Sequence, residues 1–284
     1  KKKKKILWIF VKKKKKKKFF FDFTIITIVK NDEKNIENTI KSVLSQKYVK
    51  VQYIVLDGYS LDKTFEKLKK FKNFIKVIRF KDKSFYHGLN HALKFATGRF
   101  VGILNSGDIY YNQYVLNKVN KKKFNNDFLF GNILYFNKNF NIVREWKSDF
   151  YYSKKYFYYY IPHTSLFISL NVMQHHLKHY NLKYKISSDT ELIIRLNLTK
   201  NLKFKKINEY IIFMKAGGLS TNIKYAFIKI LEDLIILKTF FKQYFLIHYL
   251  KKVIIKTKGF CFIHEKSYLK KKLKFTLKNL NKNL

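Results

Sequence analysis

Residues 23–46 read FTIITIVKNDEKNIENTIKSVLSQ. The stretch from Phe23 to Val29 is apolar or β-branched throughout, which is typical of a strand buried on both faces of a sheet. Asn31 and Asp32 can cap a helix that follows this strand. Apolar residues then recur at helical spacing, at Ile36, Ile40, Val43 and Leu44. The stretch therefore predicts a buried strand followed directly by an amphipathic helix.

The same unit recurs further along the chain. Apolar strands are predicted at residues 51–56, 75–80 and 100–104, with helices between them. Such alternation implies right-handed crossovers and a mostly parallel sheet in an α/β fold. Ligands of such sheets bind beyond the carboxyl ends of the strands. Asp57 and the stretch Asn105–Asp108 directly follow two of these strands, so we expect them in one crevice.

Two small residues mark expected helix ends in this half. Ser60 can cap the helix after the second strand, because its hydroxyl can accept a hydrogen bond from the first turn. Gly98 stands where the third helix should end, and glycine is the usual residue just beyond a helix.

The second half of the chain is less regular. A hairpin is expected from residues 128–136 and 142–146, and a helix from Ser188 to about Leu198. Residues 222–256 read as one or two helices whose apolar stripes are interrupted by charges, which favours an amphipathic surface helix over a membrane span. The predicted organisation is a basic low-complexity tail at 1–22, an α/β domain at 23–221 and a basic helical extension at 222–284.

The formal net charge of +43 is extreme for 284 residues. A basic protein is attracted to nucleic acid or to an anionic membrane surface. The alternative is compositional drift, because the abundant Lys, Asn, Ile, Phe and Tyr all have A/T-rich codons. The apolar run between the lysine runs of the tail is too short for a signal peptide or a membrane span. The single cysteine, Cys261, excludes an intrachain disulfide and suits a reducing cytosol. We expect a cytoplasmic protein, peripheral on the inner face of the membrane.

Three carboxylates lie where catalytic groups are commonly found. Asp108, beside Gly107 in a turn after a strand, could hold Mg²⁺ or Mn²⁺ against a diphosphate. Asp57 ends a strand, where a carboxylate commonly accepts hydrogen bonds from a ribose or base. Asp189 could remove a proton from an acceptor hydroxyl. Taken locally, each also fits a plainer role, a turn at Asp57 and Asp108 and a helix cap at Asp189.

The joint pattern resembles the family 2 glycosyltransferases of bacterial surface-polysaccharide synthesis. The resemblance covers roughly residues 23–221, and its stretches follow the family's order. They are TIITIVKN at 24–31, TIKSVLSQ at 39–46, LDGYSLDKT at 56–64, LNSGD at 104–108, His163, SDTEL at 188–192 with Arg195, and GGLS at 217–220.

The resemblance implies a GT-A-type nucleotide-binding fold with a divalent cofactor, Mn²⁺ or Mg²⁺, and inversion at the anomeric carbon. It implies Asp108 as the metal ligand and Asp189 as the catalytic base. His163 and Arg195 are expected at the acceptor or at a phosphate, although a lone histidine is more often structural. The expected partners are a nucleotide-sugar donor, most simply UDP-linked, and a glycan or lipid-linked acceptor. The expected donor-binding residues are Thr27, Asn31, Asp57, Asn90 and Asn105.

Some positions depart from the family pattern and leave two alternatives open. The family often has Asp-Lys-Gly-Ile-Tyr-Asp-Ala-Met-Asn where this chain has DKSFYHGLN at 82–90, so His87 replaces an acid and Ser84 a glycine. The metal stretch has one carboxylate. One alternative is a transferase that binds its donor without turnover. The other is a polyanion-binding protein, which explains the charge but not the three carboxylates, so no specific nucleic acid is expected.

Overall fold

The computed structural model describes residues 19–123, 125–152, 157–217, 223–258 and 267–282. Three features of the sequence lie outside these ranges, namely most of the basic tail, the GGLS stretch from residue 218 onward, and Cys261. The strands of the described residues are β1 (Phe23–Val29), β2 (Val51–Asp57), β3 (Lys76–Arg79), β4 (Phe100–Ile103), β5 (Ile109–Tyr110), β6 (Phe128–Phe136), β7 (Ile142–Trp146), β8 (Asp149–Tyr152), β9 (Phe157–Tyr160), β10 (Leu166–Ser169) and β11 (Phe204–Lys215).

The α-helices are distributed along the whole described chain. They are α1 (Ile36–Leu44), α2 (Thr64–Lys69), α3 (Phe85–Leu93), α4 (Val115–Lys122), α5 (Leu170–Val172), α6 (Ser188–Leu198), α7 (Ile223–Phe241), α8 (Phe245–Lys258) and α9 (Ser267–Lys282). The hairpin expected from β6 and β7 and the helix expected over α6 are confirmed.

One large sheet organises the molecule, in the order β3-β2-β1-β4-β10-β6-β11-β5, with β7 paired to β6. The first four strands run parallel, as the alternation of strands and helices predicts. β10 then enters antiparallel between β4 and β6, while β6 and β11 pair in parallel. The predicted α/β architecture, a mostly parallel sheet with C-terminal helices, is confirmed.

The core lies on both faces of this sheet, because successive side chains of a strand point to opposite faces. On β1, Ile26 and Ile28 belong to one buried cluster, and Ile25 and Val29 belong to the other. Helices cover both sides, α3 and α6 on the first cluster and α1 on the second. The fully apolar pattern of β1 is thus explained by burial on two faces.

Gly98 has a different role from the expected helix end. α3 stops at Leu93, and Lys94 is its C-terminal cap. A Cβ on Gly98 would lie only 2.3 Å from the backbone of Phe23 and Thr24. The glycine is therefore required because the chain passes directly against β1, so the cap expectation was wrong.

The side chains expected to cap the first two helices instead tie loops together. α1 begins at Ile36 and α2 at Thr64, further along the chain than the caps predicted from sequence. The hydroxyl of Ser60 accepts a hydrogen bond from the backbone N–H of Asn31 at 2.9 Å. Asp32 accepts a hydrogen bond from Ser106 after β4. Those cap predictions were wrong, because the loops at the carboxyl ends of β1, β2 and β4 bind one another.

The helices after β11 pack onto the α/β domain. Ile236 and Leu237 of α7 form a buried cluster with Ile194 of α6. Leu269 and Leu273 of α9 join a separate cluster on the far side, with residues of β5, β6 and β11. In the ranges that the structure describes, no helix combines the length and apolar character needed to cross a membrane. The boundary at residue 221 stays a prediction.

Candidate active site

The turn between β4 and β5, residues Asn105–Asp108, carries the predicted metal ligand. Gly107 adopts φ +92°, a conformation that favours glycine. Asp108 is buried, and its Oδ1 accepts a hydrogen bond from the backbone N–H of Lys215 at 2.9 Å. Two buried oxygens of the turn, Asp108 Oδ2 and Asn105 Oδ1, have no hydrogen-bond partner among the described residues. Buried polar atoms are normally paired, so these two oxygens are candidates for a ligand.

A second carboxylate lies beside this turn. The Ser106 hydroxyl donates a hydrogen bond to Asp32 Oδ2 at 2.6 Å, and the Asn35 amide also bonds Asp32. Burial raises the pKa of Asp108 to about 8, while the Lys215 N–H and the Asn105 side chain oppose this rise and the charge of Asp32 adds to it. The metal stretch itself has one carboxylate, and the fold brings a second, Asp32, from the loop after β1.

The donor set of the turn fits a hard divalent cation. In the described residues, no three His, Cys, Asp or Glu side chains converge into a metal cage. Mg²⁺ typically binds one or two protein carboxylates and takes its other ligands from substrate phosphates and water. Asp108, with Asn105 and the neighbouring Asp32, offers such an incomplete set of oxygens.

Lys215, at the end of β11, places a positive charge beside the same turn. Its aliphatic chain lies against Gly107, where an added Cβ would be 3.3 Å from the lysine Cδ. Its Nζ donates a hydrogen bond to Asn35 Oδ1 at 2.8 Å. Sequence reasoning missed this residue, because it lies far from the turn along the chain and carries no local signal among many lysines.

Asp57 ends β2 inside the same crevice and is fully buried. Its carboxylate accepts hydrogen bonds from the backbone N–H of Ser60 and from Arg79 Nε, both at 3.1 Å. The Arg79 guanidinium also lies over the rings of Tyr59 and Phe65, at 4.5 and 4.1 Å from their centroids. Arg79 is a second residue that sequence reasoning missed, although its place at the end of β3 is a signal that could have found it.

The neighbouring loops close around Asp57. Asn31 accepts a hydrogen bond from the Leu61 N–H through its side-chain oxygen, at 2.8 Å. Asp82 is half-buried, and a Cβ on Gly58 or Gly88 would lie 3.3 or 3.1 Å from its carboxylate. Burial raises the pKa of Asp82, Lys30 and His87 oppose that rise, and the charge of Asp57 adds to it. This end of the crevice therefore holds two carboxylates and the Asn31 amide.

Two predicted donor-binding residues face inward instead of into the crevice. The buried Thr27 hydroxyl donates to the carbonyl of Leu104 at 2.7 Å and lies 3.0 Å from the Tyr53 hydroxyl. The Asn90 amide donates to the carbonyl of Tyr180 and accepts from its N–H, at 2.9 and 2.8 Å. Both side chains thus hold segments of the protein together, and donor contact at either stays a prediction without support from this geometry.

Asp189 lies half-buried in the first turn of α6, at the acceptor side of the predicted site. It is not the cap residue, because Ser187 occupies that position and makes no side-chain cap bond. Burial raises the pKa of Tyr135 on β6, Arg144 lowers it, and the charges of Asp108 and Asp189 each raise it further. Both predicted carboxylates thus contribute to the raised pKa of this tyrosine.

His163 and its neighbours border Asp189. The His163 Nε2 lies 2.6 Å from the Tyr180 hydroxyl. Burial lowers the pKa of His163, and the charge of Asp189 opposes that shift. Tyr86 stacks on Tyr180 and donates to the carbonyl of Ile186, just before Asp189. The rings of Tyr86, Tyr180 and His163 thus form a wall beside the Asp189 carboxylate.

The loop that carries Asp189 is held from outside by α7. The buried Glu232 carboxylate accepts hydrogen bonds from the backbone N–H groups of Lys185, Ile186 and Ser187, at 2.7, 2.9 and 2.8 Å. The next residue, Asp233, pairs with Lys252 of α8 at 2.8 Å, and that lysine also lies 3.3 Å from the Thr190 hydroxyl. The sequence signal for this support was Glu232 and Asp233, an isolated acidic pair in a basic helix. Sequence reasoning used the pair only as an argument against a membrane span.

The Arg195 guanidinium is bound within the protein. Its Nε pairs with Glu191 at 2.7 Å, Nη1 donates to the carbonyl of Leu177 at 2.6 Å and Nη2 to that of His179 at 2.7 Å. The guanidinium clamps α6 to the segment before it. Acceptor or phosphate binding by Arg195 stays a prediction that these contacts do not favour.

Comparison with protein families supplies the decisive observation. The family model described as glycosyl transferase family 2 matches residues 24–180, more than half of the chain. The chain belongs to glycosyl transferase family 2. A curated relative is the E. coli UDP-Glc:alpha-D-GlcNAc-diphosphoundecaprenol beta-1,3-glucosyltransferase WfaP, 31% identical over 99 residues. That match covers 34% of this chain and 39% of WfaP.

Solved glycosyltransferases share the fold. S. aureus TarS 1-349 in complex with UDP-GlcNAc superposes with a TM-score of 0.62 at 15% identity, covering 92% of this chain and 83% of that one. The complex of TarS 1-349 with UDP gives 0.57 at 18% identity, over 79% and 72%. The mannosyltransferase PcManGT from Pyrobaculum calidifontis, in complex with GDP-Man and Mn²⁺, gives 0.52 at 14% identity, over 94% and 77%. At these identities the likeness shows the GT-A fold.

The departures of this family 2 member from the common pattern have local structural roles. The Ser84 hydroxyl caps α3 by accepting a hydrogen bond from the His87 N–H at 3.2 Å. The His87 Nδ1 accepts one from the Lys83 N–H at 3.1 Å. The two changed residues thus bond the first turn of α3, and the carboxylate of Asp82 remains beside Asp57.

Proposed function

We propose that the protein transfers a sugar from a nucleotide-diphosphate sugar, UDP-linked, to a hydroxyl of a glycan or lipid-linked acceptor. The observation that carries the proposal is the Asn105–Asp108 turn of this family 2 chain, where two buried oxygens, Asp108 Oδ2 and Asn105 Oδ1, have no hydrogen-bond partner among the described residues. Asp108 lies in this turn, and Asp189 lies half-buried in the first turn of α6. In this proposal Asp108 serves the cation on the diphosphate, and Asp189 serves the attacking hydroxyl.

The donor is held at the carboxyl ends of β1, β2 and β4. Asp57 with Arg79 would bind the nucleoside, and the Asn105–Asp108 turn would hold Mn²⁺ or Mg²⁺ with the neighbouring Asp32. The cation, when bound, neutralises charge on the departing diphosphate. Lys215 adds a fixed positive charge beside the same turn. The nucleotides and Mn²⁺ named in the TarS and PcManGT complexes support this choice of ligands.

Asp189 removes the proton from the acceptor hydroxyl as the hydroxyl attacks the anomeric carbon. Attack from the face opposite the nucleotide in a single displacement inverts that carbon. The wall formed by Tyr86, Tyr180 and His163 limits water near Asp189 and orients the acceptor. Burial lowers the pKa of His163, so this residue acts as a neutral hydrogen-bonding group.

The acceptor is lipid-linked in this proposal, and the protein works at the cytoplasmic face of an anionic membrane. The name of WfaP gives a diphosphoundecaprenol-linked sugar as the acceptor of that enzyme. Because WfaP matches this chain over 99 residues, its acceptor supports the proposal. The net charge of +43 favours an anionic surface.

Donor binding and transfer are tested in two steps. The melting temperature of the full chain is measured against a panel of UDP-, GDP- and dTDP-sugars with and without Mn²⁺, and the best donor is confirmed by calorimetry. Transfer is then followed with sugar-diphosphate-lipid acceptors, and NMR of the product gives the anomeric configuration. Retention of configuration would refute the single displacement. Donor binding without transfer to any acceptor would favour a transferase without turnover, and binding of DNA alone would favour the polyanion alternative.

A further inference from the structure

The outward side of α7 and α8 carries an uncovered apolar surface. On α7 its members recur at helical spacing, and a second stripe on α8 does the same. We call these residues the outer face: Phe227, Ile230, Leu231, Ile235, Leu246, Ile247, Leu250, Val253 and Ile254. Phe227 is 65% exposed and Leu250 59%, so large side chains stand in water across the whole face. Apolar patches of this extent usually mark an interaction surface.

The opposite side of both helices is already used by the protein. Ile236 and Leu237 pack on Ile194, with Phe245 and Tyr249 of α8 against the same cluster. The outer face is therefore not needed to pack α7 and α8 onto the domain, because each helix packs through a separate inward stripe. Among the described residues, nothing packs over the outer face.

The charges around the outer face have one sign. The only carboxylates in residues 225–257 are Glu232 and Asp233, and both are buried on the inner side. Lys238 and Lys242 are exposed between and beside the apolar stripes. The face thus combines apolar side chains with positive charge and presents no negative charge. This combination is typical of helices that lie in the interface of an anionic bilayer.

We infer that the outer face is a docking surface for an anionic lipid bilayer, with α7 and α8 lying along the membrane interface. The inference rests on the membrane attachment proposed above and names the surface that provides it. A second copy of the chain fits less well, since two proteins of net charge +43 repel each other. Nucleic acid also fits less well, because eight of the nine side chains are branched aliphatic and offer no stacking platform for bases.

Docking through this face orients the active site. The helix that presents Phe227 and Ile235 to the outside holds the Asp189 loop on its inner side, through Glu232. The acceptor side of the crevice is therefore linked to the membrane by a single helix. A lipid-linked acceptor would reach Asp189 from the bilayer side, while the donor enters from the aqueous side at the carboxyl ends of β1, β2 and β4.

Two double variants of the full chain test the surface with the same change in charge. The test variant is Phe227→Glu with Leu250→Glu. The control is Phe74→Glu with Phe275→Glu. These two phenylalanines lie outside α7 and α8 and are 65% and 58% exposed. Binding is measured by co-sedimentation with vesicles of mixed phosphatidylglycerol and phosphatidylcholine, and with phosphatidylcholine alone. Melting temperatures and transfer to a water-soluble acceptor are recorded for every protein.

The test variant should bind anionic vesicles roughly tenfold more weakly or worse, because it loses apolar contacts and gains charges of the lipid's sign. The control should bind like the wild type, and both should keep soluble transfer. If the test variant and the control bind anionic vesicles equally, whether like the wild type or with the same loss, the outer face is not the docking surface. The proposed membrane attachment would then still stand. Wild-type protein that ignores anionic vesicles would overturn the surface and the proposed attachment together. A wild-type dimer that only the test variant dissociates would assign the face to a second copy, and failure of soluble transfer in the wild type would refute the reaction without touching the surface.

Discussion

The two halves of the candidate site are built in opposite ways. The donor turn, Asn105–Asp108, lies between β4 and β5 and is held by Asp32 from the loop after β1 and by Thr39 of α1. The acceptor loop, which ends at Asp189, is held by a carboxylate from α7 and flanked by a lysine from α8. The position of the donor turn is determined by the order of the strands. The position of the acceptor loop is determined by helices that follow the last strand along the chain.

We expect this difference to separate donor binding from turnover. A change at the donor turn should alter metal and nucleotide binding directly, because the open oxygens lie there. A change at the acceptor loop or at its supports should alter transfer while donor affinity stays the same. The largest effect is expected at the donor turn.

Asp108→Asn should reduce transfer to background and abolish the effect of Mn²⁺ on UDP affinity. The amide can still accept the hydrogen bond from the Lys215 N–H, so the fold is preserved, but the charge that attracts the cation is lost. Calorimetric titration with UDP, with and without Mn²⁺, measures the effect. Asp127→Asn, on the loop before β6 and outside the crevice, is the control for loss of one negative charge. A metal response that persists unchanged in the Asp108 variant would assign the cation to other residues.

The same residue predicts a dependence on pH in the metal-free protein. Burial raises the pKa of Asp108 from 3.8 to about 8, so the folded state binds more protons than the unfolded state between those values. This group's contribution to the free energy of unfolding therefore falls as pH rises from 3.8 to 8. Without metal, Asp108→Asn should melt progressively higher than the wild type across this window. A difference in melting temperature that stays constant over the window would contradict the raised pKa.

Asp189→Asn should lower the transfer rate by roughly 10² to 10⁴, the usual cost of losing a general base. Donor affinity should stay within a few-fold, because the residue lies on α6 and outside the proposed donor-binding loops. The amide retains the shape of the side chain and can accept from the Thr190 N–H as the carboxylate does. Turnover with acceptor and calorimetry with donor are measured together. Normal turnover would place the base elsewhere, with Glu191 as the next candidate.

Glu232→Gln should lower transfer by roughly tenfold to a hundredfold, because a loosened loop misplaces Asp189. Glutamine offers one carbonyl oxygen where the carboxylate accepts three backbone hydrogen bonds with two. Donor affinity should not change, and a stability loss should accompany the lower kcat. Glu209→Gln, an exposed residue that pairs with Lys118, is the matched control for charge. If Glu232→Gln weakens donor binding as much as transfer, the two halves of the site are not separable.

The strands and turns of the donor half were predicted from the sequence, because they follow from a repeating local pattern. Strands such as β1 and β4 are read from their apolar residues, and the polar turn after each must lie at the same edge of a parallel sheet. Asp57 and Asp108 could therefore be placed before the structure was known. Asp32 could not, because its approach to the Asn105–Asp108 turn depends on the path of the loop after β1.

The acceptor half was predicted only in part, since its contacts are long-range and lack periodicity. SDTEL at 188–192 marked the position of Asp189, yet nothing local distinguished a base from a cap. The supports of this loop, Glu232 and Lys252, lie more than forty residues further along the chain. Asn90 and Arg195 matched the family pattern, but their hydrogen bonds to backbone show that such a match can also record a structural role.

The smallest effect on turnover is expected for Arg195→Lys, which tests that structural role directly. The planar guanidinium donates to the carbonyls of Leu177 and His179 while its Nε pairs with Glu191. Lysine keeps the charge but has one donor group, so it cannot span these partners. Each lost hydrogen bond to a charged group costs about 1.5–3 kcal/mol, so the melting temperature should fall. The Michaelis constants for donor and acceptor should stay unchanged, because the guanidinium is already bound within the protein. A rise in the acceptor's constant with no loss of stability would restore Arg195 as a binding residue and move the acceptor site onto the outer turns of α6.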